Sequence, residues 1–482
     1  MRPSPRRTRH LSLALFLFLL AALLFLWSPF SISGLLSSSY KPHSSVSTLI
    51  SAYKSRQQEA ALAPVSTLPL PLPAAHPNTA PFFAGGSVHS VSLPARRPPA
   101  QLLEGVCPDP LAHEPRDTEA QGLLGPCNCP LQQPPLDGWA FDCEANDWRI
   151  LQDLAPWHDI TITHHMLDAA FSLSTANLPP GYHFSISQGV VRGKQHPDVP
   201  ISVFHDRLLD MLQTVSRLVQ LPDCEFVLHA WDHAKVPRQD PIPVFSFLRD
   251  ASRNDITVPY PYIWSTSTHD LDLARDANCS SSLAGRPGRR VAWRGSCTGP
   301  TLGYQPPFLP AYLRVRATLL SRAHPQVLDA SLVEECVGEG VSGVRLAAAP
   351  LDLVAGACQH RHLLLLDGNS ASGRSSALAH AGAVLLKPDS VFSEWWYHLL
   401  RPWVHYVPVR EQLQDLVQQA QWVVLQAPEG TAQCLADNLG RLAAQHIRRE
   451  AIACYWWRLL SAWARLQRGG GRTEGFFPLQ PE

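Results

Sequence analysis

Apolar positions along the chain fall into three regimes. Residues 11–27 are an apolar run broken only by Ser12, which extends through Phe30 and Ile32. From there to about residue 125, apolar residues are scattered among Pro, Ser and Ala without a sustained period, as in APVSTLPLPLPAAHP. Beyond that point short apolar runs alternate with longer amphipathic stretches. FVLHA (226–230), VAW (291–293), LLLL (363–366), AVLL (383–386) and WVVL (422–425) predict parallel strands, because an apolar run without alternation leaves no solvent face. Residues 206–221 (DRLLDMLQTVSRLVQL), 311–323 (AYLRVRATLLSRA) and 393–400 have the spacing of helices. Strands alternating with helices predict an α/β protein with parallel sheets. Residues 433–467 predict mostly helix, with Tyr455, Trp456, Trp457 and Trp463 set to pack across a seam between domains.

The flanks of the first run give it an orientation. MRPSPRRTRH holds Arg2, Arg6, Arg7 and Arg9 and no acid, and basic flanks stay cytoplasmic. Residues 1–10 are expected as a cytoplasmic tail and 11–32 as a transmembrane signal anchor, close to the ~20 residues a span needs. A cleaved signal peptide is the alternative. Residues 33–125 are expected as a Pro/Ser-rich, disordered stem, since that composition buries too little apolar surface to offset ordering entropy. PCNCP, with Cys127 and Cys129, marks the expected start of the ordered region.

Both readings send the rest of the chain into the secretory lumen, where disulfides form. Eleven cysteines are an odd number, so at least one thiol is free or pairs between chains. Asn278-Cys279-Ser280 has the form of an N-glycosylation acceptor. Lys+Arg and Asp+Glu balance at 40 each, so nothing global points to a nucleic-acid partner.

Four segments carry candidate chemistry. LLLLDGNSASGRSS (363–376) reads as a strand opening into a small-residue turn and a helix near Ser375, with Arg374 as its single cation. Such a turn suits a phosphate; an ordinary strand-to-helix turn with Arg374 solvated is the other reading. VAWRGSCTG (291–299) repeats the form with Arg294, Gly295 and Ser296, and two such arginines would neutralise a diphosphate without a metal. After the strand at 383–386, Glu394 opens an aromatic-rich segment, where it either accepts hydrogen bonds from ribose hydroxyls or serves as a first-turn acid. In EFVLHAWDHAKVP (225–237), Asp232 ends a predicted strand, as a general base or as a turn aspartate. Asp270-Leu271-Asp272 matches a short acidic pattern that can hold a divalent ion, but such triplets are common. Adjacent His164 and His165 point about 100° apart on a helix and cannot share a metal as an i, i+4 pair does. With no CxxC pair, a zinc site is not expected.

Taken together these segments resemble glycosyltransferase family 90, the Rumi-type protein O-glucosyltransferases and capsule-associated proteins, from about Cys127 to Trp457. LKPDSVFSEWWYHLLRPWVHYVPVREQLQDL is the most specific piece, followed by WRGS, PVFSF (243–247) and ACYWWRLL. The resemblance implies a GT-B architecture, two Rossmann-like lobes facing a cleft: an N-terminal acceptor-side lobe over 126–300, a C-terminal nucleotide-sugar lobe over 301–432, and helices crossing the lobes over 433–482. It implies inverting transfer of glucose or xylose from UDP-glucose or UDP-xylose to a protein Ser/Thr or a glycan, with no metal or other cofactor. Asp232 takes the place of the base, Arg294 and Arg374 the diphosphate arginines, Glu394 the nucleoside-contacting acid, and Phe204 and Arg207 the acceptor-side Phe-x-x-Arg. It also implies a disulfide from the Cys127-x-Cys129 knot toward Cys454.

The chain departs from the family in three places. RGSCT stands where many members read RGSRT, a cysteine pair that flanks Phe-x-x-Arg in animal glucosyltransferases is absent around Phe204, and the chain ends FPLQPE without a KDEL-type signal. These departures leave donor sugar and acceptor open, and favour a single-pass type II protein of the Golgi membrane over an ER resident. A non-catalytic luminal sugar-binding or scaffold protein of the same fold is the competing reading.

Overall fold

The computed structural model describes residues 96–479 apart from 106, 109–122, 125–127, 133–141, 143, 173–180, 198–204, 230–235, 237–241, 251, 262–263, 265–281, 300–312, 334–355 and 429. The described residues lie within one compact unit, His89–Glu482. The expected tail and anchor lie outside them; among described helices none is long and apolar enough to cross a membrane.

Two sheets organise the chain. In chain order the principal elements are α1 (Glu144–Leu154), α2 (His164–Ser172), β1 (Tyr182–Ser187), β2 (Val190–Gln195), α3 (His205–Leu218), β3 (Cys224–Leu228), β4 (Val244–Ser246), β5 (Arg249–Asp250), β6 (Ile256–Thr257) and β7 (Gly288–Gly295). There follow α4 (Leu313–Ala323), β8 (Leu328–Leu332), β9 (His360–Leu364), α5 (Ser375–His380), β10 (Val384–Pro388), β11 (Phe392–Ser393), β12 (Val407–Val409), α6 (Leu416–Gln421), α7 (Thr431–His446), α8 (Arg449–Leu466) and β13 (Phe477–Pro478). The first sheet runs β13-β2-β1-β3-β4-β6, the second β12-β10-β9-β7-β8, and a two-stranded sheet joins β11 to β5.

The second sheet is parallel throughout. The leucine run shows why. Leu363 and Leu365 face the core shared with the first sheet, while Leu364 and Leu366 face a second core with Val291, Trp293, Val384 and Leu386. Alternate side chains thus enter opposite cores, so every position must be apolar. Burying each Leu contributes about 1.5–3 kcal/mol.

The first sheet is mixed, where parallel strands were expected. β3 pairs in parallel with β4 but antiparallel with β1, and β1–β2 is a hairpin. Its turn residues Gln188 and Gly189 have φ of 51° and 75°, the backbone of a two-residue hairpin whose twist matches its strands. The hairpin escaped the sequence pattern because polar His183 and Ser185 are buried along with Phe184 and Ile186.

Three further expectations change. WVVL is not a strand: Trp422–Gln426 is a wide helical turn continuing α6, with Trp422 buried and Leu425 65% exposed. A four-residue apolar run fits either state by periodicity alone. Residues 393–400 are not one helix but the end of β11 and a short 3₁₀ turn, Tyr397–Leu399. Trp395, Trp396 and Tyr397 are all buried, so no polar face remains for a surface helix. Residues 96–105, assigned to the stem, are packed. Arg96 makes a two-pronged ion pair with Asp389 at 2.7 and 2.9 Å, Leu102 is 1% exposed, and Cys107 is bonded to Cys434 of α7. β7, on the N-terminal side of the expected 300/301 boundary, pairs only within the second sheet.

The two closing helices serve different sheets. α7 packs on α5 and β10, α8 on α1, α3 and β3. Trp463 meets Phe245 edge-on at 5.1 Å, and Tyr455 meets Trp395 at 4.8 Å.

Candidate functional site

In sequence order the second sheet places its first two strands, β7 and β8, on one side and β9, β10 and β12 on the other. The order therefore reverses between β7 and β9. In open α/β sheets ligands bind beyond the carboxyl ends of strands at such a reversal. The residues leaving β7 there are Arg294, Gly295 and Ser296; those leaving β9 are Asp367 to Arg374.

The structure brings these two segments together. Arg374, the residue before α5, donates an Nη1 hydrogen bond to the Arg294 carbonyl. A Cβ at Gly295 would lie 2.7 Å from Arg374 Nη2 and 2.6 Å from the Trp293 ring, so the glycine gives the guanidinium its place. Arg294 itself is committed to β8: its Nη2 meets Asp329 Oδ1 at 2.8 Å, and its Nη1 donates to the Trp293 carbonyl at 2.8 Å. The two expected cations thus share one corner of the fold in different situations.

A third arginine ties the corner together. Arg314 of α4, 7% exposed, donates to the Asp367 carbonyl at 3.0 Å, the Ser296 carbonyl at 3.2 Å and Thr298 Oγ1 at 2.5 Å. It packs so closely on Gly368 that a Cβ there would lie 2.6 Å from its Nη2. Sequence reasoning placed Arg314 on a helix but gave it no role. Its signal was a cation amid apolar Leu313, Val315 and Ala317, which a helical pattern alone reads as surface.

Beside this corner Glu394 is 1% exposed. Ser375 Oγ donates to its Oε1 at 2.6 Å and Trp396 Nε1 to its Oε2 at 3.3 Å. Burial pushes the carboxyl up to about 7 despite hydrogen bonding from Ser375, Tyr397 and Trp396, and the neighbouring Asp367 charge adds to the rise. Burial also raises Asp367, against hydrogen bonding from Ser390 and the charges of Lys387 and Arg314. Lys387, with Nζ 4.8 Å from the Tyr397 ring centre, is lowered by burial, while Asp367, Asp389 and Glu394 oppose that shift. The corner therefore offers cations on its floor and, alongside, a carboxyl that titrates near neutrality within an aromatic wall.

Other sequence candidates are elsewhere or outside the described residues. Asp232, Phe204, Asn278, Cys127 and the Asp270–Asp272 pattern lie outside them. The chain flanking Asp232 is fixed: His229 and Val236 are both buried. Arg207 sits on α3, which packs on β2 and α8. Cys129 is bonded to Cys454 of α8. Cys297, where many family members carry arginine, is disulfide-bonded, and Cys224 is the free thiol among the described cysteines. His164 Nε2 bonds the Gly470 carbonyl at 3.0 Å. Among the described residues no cluster of three His, Cys, Asp or Glu side chains is placed to hold a metal ion.

Known proteins share this sequence pattern. Residues 139–473 match the model of Glycosyl transferase family 90. Protein O-glucosyltransferase 1 of Homo sapiens is 28% identical over 291 residues, 56% of this chain and 69% of that protein. Protein O-glucosyltransferase 2 of Danio rerio is 26% identical over 71% of this chain and 66% of its own length. Protein O-glucosyltransferase 3 of Homo sapiens is 23% identical over 74% and 68%.

Proposed function

The chain belongs to glycosyl transferase family 90, and from that premise we propose that it is an inverting glycosyltransferase moving glucose or xylose from a UDP-sugar to a hydroxyl of a protein or glycan in the secretory pathway. The observation that carries this reading is the convergence of Arg294, Gly295, Arg314 and Arg374 at the strand-order reversal, beside buried Glu394. The relatives' names, protein O-glucosyltransferase, favour glucose as the donor sugar and a protein as acceptor.

In this reading the fold is GT-B, the second sheet holding the nucleotide and the first facing the acceptor. Glu394 accepts hydrogen bonds from the ribose, and the rings near it flank the base. Asp232 takes the proton from the acceptor hydroxyl as its oxygen attacks the anomeric carbon on the face opposite UDP. Arg374 stabilises the charge building on the departing diphosphate, joined by Arg294 once the incoming phosphates compete with Asp329. No metal is needed for that step. Arg207 and Phe204 sit toward the acceptor. The protein works as a type II Golgi membrane enzyme, its anchor over residues 11–32.

The test is UDP release by the full chain with UDP-glucose, UDP-xylose or UDP-galactose, beside an Asp232→Asn variant. We expect UDP-glucose or UDP-xylose to be consumed above a mock preparation. Asp232→Asn should cut turnover about 100-fold or more while keeping UDP affinity. No turnover with any donor, or near-normal turnover by a folded Asp232→Asn protein, overturns the reading.

A further inference from the structure

We propose that Asp255 is a positioning residue for the general base, acting through the two chain positions that flank it; this rests on the reading of Asp232 as that base. β3 ends at Leu228, and the next residue, His229, is anchored by its backbone N–H to the Phe245 carbonyl at 3.0 Å. Val236 follows seven residues later. One carboxylate grips both ends. Asp255 Oδ1 accepts from His229 Nε2 at 2.8 Å, and Asp255 Oδ2 accepts from the Val236 N–H at 2.9 Å. The neighbouring Asn254 N–H completes the clasp on the Val236 carbonyl at 3.0 Å.

The clasp is dry. Asp255 and Val236 are 0% exposed and His229 is 1% exposed. The carboxylate can only accept, so His229 donates from Nε2. Its Nδ1 is buried without a partner, so Asp255 is the side chain that orients this ring. A buried carboxylate is weak evidence of stabilisation, because apolar groups of like volume often serve as well. What an apolar group cannot do is fix two chain positions at once by directed bonds. In the sequence, residues 230–235, Asp232 among them, lie between those two positions.

The clasp itself stands on a strut. Asp255 precedes β6, where the Thr257 N–H donates to Asp153 Oδ2 at 2.9 Å and the Thr257 carbonyl accepts from the Tyr455 hydroxyl of α8 at 3.0 Å. A displacement of about 1 Å at a reacting group can cost about 100-fold in rate. The geometry therefore assigns Asp255 to the turnover step and leaves donor affinity to the other sheet.

The experiment uses the full chain with Asp255→Asn, Asp255→Ala and Asp232→Asn. It reads kcat and KM for UDP release from UDP-glucose, UDP affinity by calorimetry, and hydrogen exchange of peptides spanning 229–236. Asp255→Asn retains one acceptor oxygen, so we expect about a tenfold loss in kcat, and about 100-fold for Asp255→Ala. KM for UDP-glucose and UDP affinity should stay within about twofold, and exchange should rise selectively in 230–236. Normal kcat in Asp255→Ala while Asp232→Asn is inactive overturns the inference. So does exchange that rises equally across the first sheet, which marks a merely structural role. If Asp232→Asn keeps its turnover the base assignment fails, and the exchange pattern alone then decides whether Asp255 holds the two flanking positions.

Discussion

At the scale of single residues, the site sets a carboxylate against its surroundings. Glu394 is buried, and hydrogen bonding from Ser375, Tyr397 and Trp396 does not offset the loss of water, so its carboxyl stays protonated up to about 7. The sign of the consequence is fixed. Between the ordinary glutamate value and about 7 the folded protein holds a proton that the unfolded chain has released. Stability is therefore lost as pH rises through that window and is level above it. Glu394→Gln removes the titration. Urea unfolding from pH 5 to pH 8 should show wild type losing about 3 kcal/mol more than the variant across that range. Parallel pH slopes for the two proteins would show that Glu394 is ionised throughout.

At the scale of elements, the corner between β7 and β9 depends on Arg314 more than on either expected arginine. Its three bonds run from α4 to both strand ends, so removing it takes a charged donor from the half-buried Asp367 and Ser296 carbonyls together. Arg314→Met keeps the stem and the bulk. It should cost about 2–4 kcal/mol in urea unfolding and raise KM for the donor at least as much as it lowers kcat, because the two segments that would cradle a diphosphate lose their common tie. An unchanged KM with normal stability would remove Arg314 from the site. The sequence made Arg294, Arg374 and Glu394 legible because each follows an apolar run that ends at a strand terminus. It left Arg314 silent, since a helix periodicity reports which face is apolar and not which cation is folded under it. The same limit explains the β1–β2 hairpin, whose buried His183 and Ser185 break the alternation a strand needs to be seen. It explains WVVL too, where four apolar residues fit a wide helical turn as well as a strand. Asp255 had no sequence signal at all: it is defined by His229 and Val236, 26 and 19 positions away, meeting on one carboxylate.

At the scale of the whole molecule, the chain returns at its end to the outer edge of the first sheet. Beyond α8, residues 468–479 lead to β13, which pairs antiparallel with β2. This tail is fastened by charge. Arg472 donates from Nε to Glu225 Oε1 at 2.8 Å and from Nη2 to Glu225 Oε2 at 2.7 Å, and it forms a second pair with Asp168 at 2.8 and 2.9 Å. Glu225 is 0% exposed on β3 and also bonds His183 Nε2 at 3.0 Å. Although burial alone would raise its carboxyl, hydrogen bonds from His183 and Arg472 bring it down to about 2. The network thus contributes stability above the ordinary glutamate range that is lost as pH falls toward 2. His183, lowered chiefly by burial, works in the same direction, because it must take up a proton in a dry site as pH falls below its ordinary value. Arg472→Ala leaves the Glu225 charge buried with one cation fewer and should destabilise the protein by about 3 kcal/mol at pH 7, toward the lower end for a broken buried pair because Arg472 remains partly exposed. The loss should shrink at pH 4, where part of the stabilisation is already gone in wild type. Deleting residues 468–482 should cost at least as much, since it removes the same cation and uncovers β2. Donor KM should stay near wild type in the folded fraction of both variants, because β3 and the tail belong to the first sheet while the arginine corner belongs to the second. A donor KM that rises with Arg472→Ala would show instead that the two sheets share a single rigid site, and that the tail is part of what holds it.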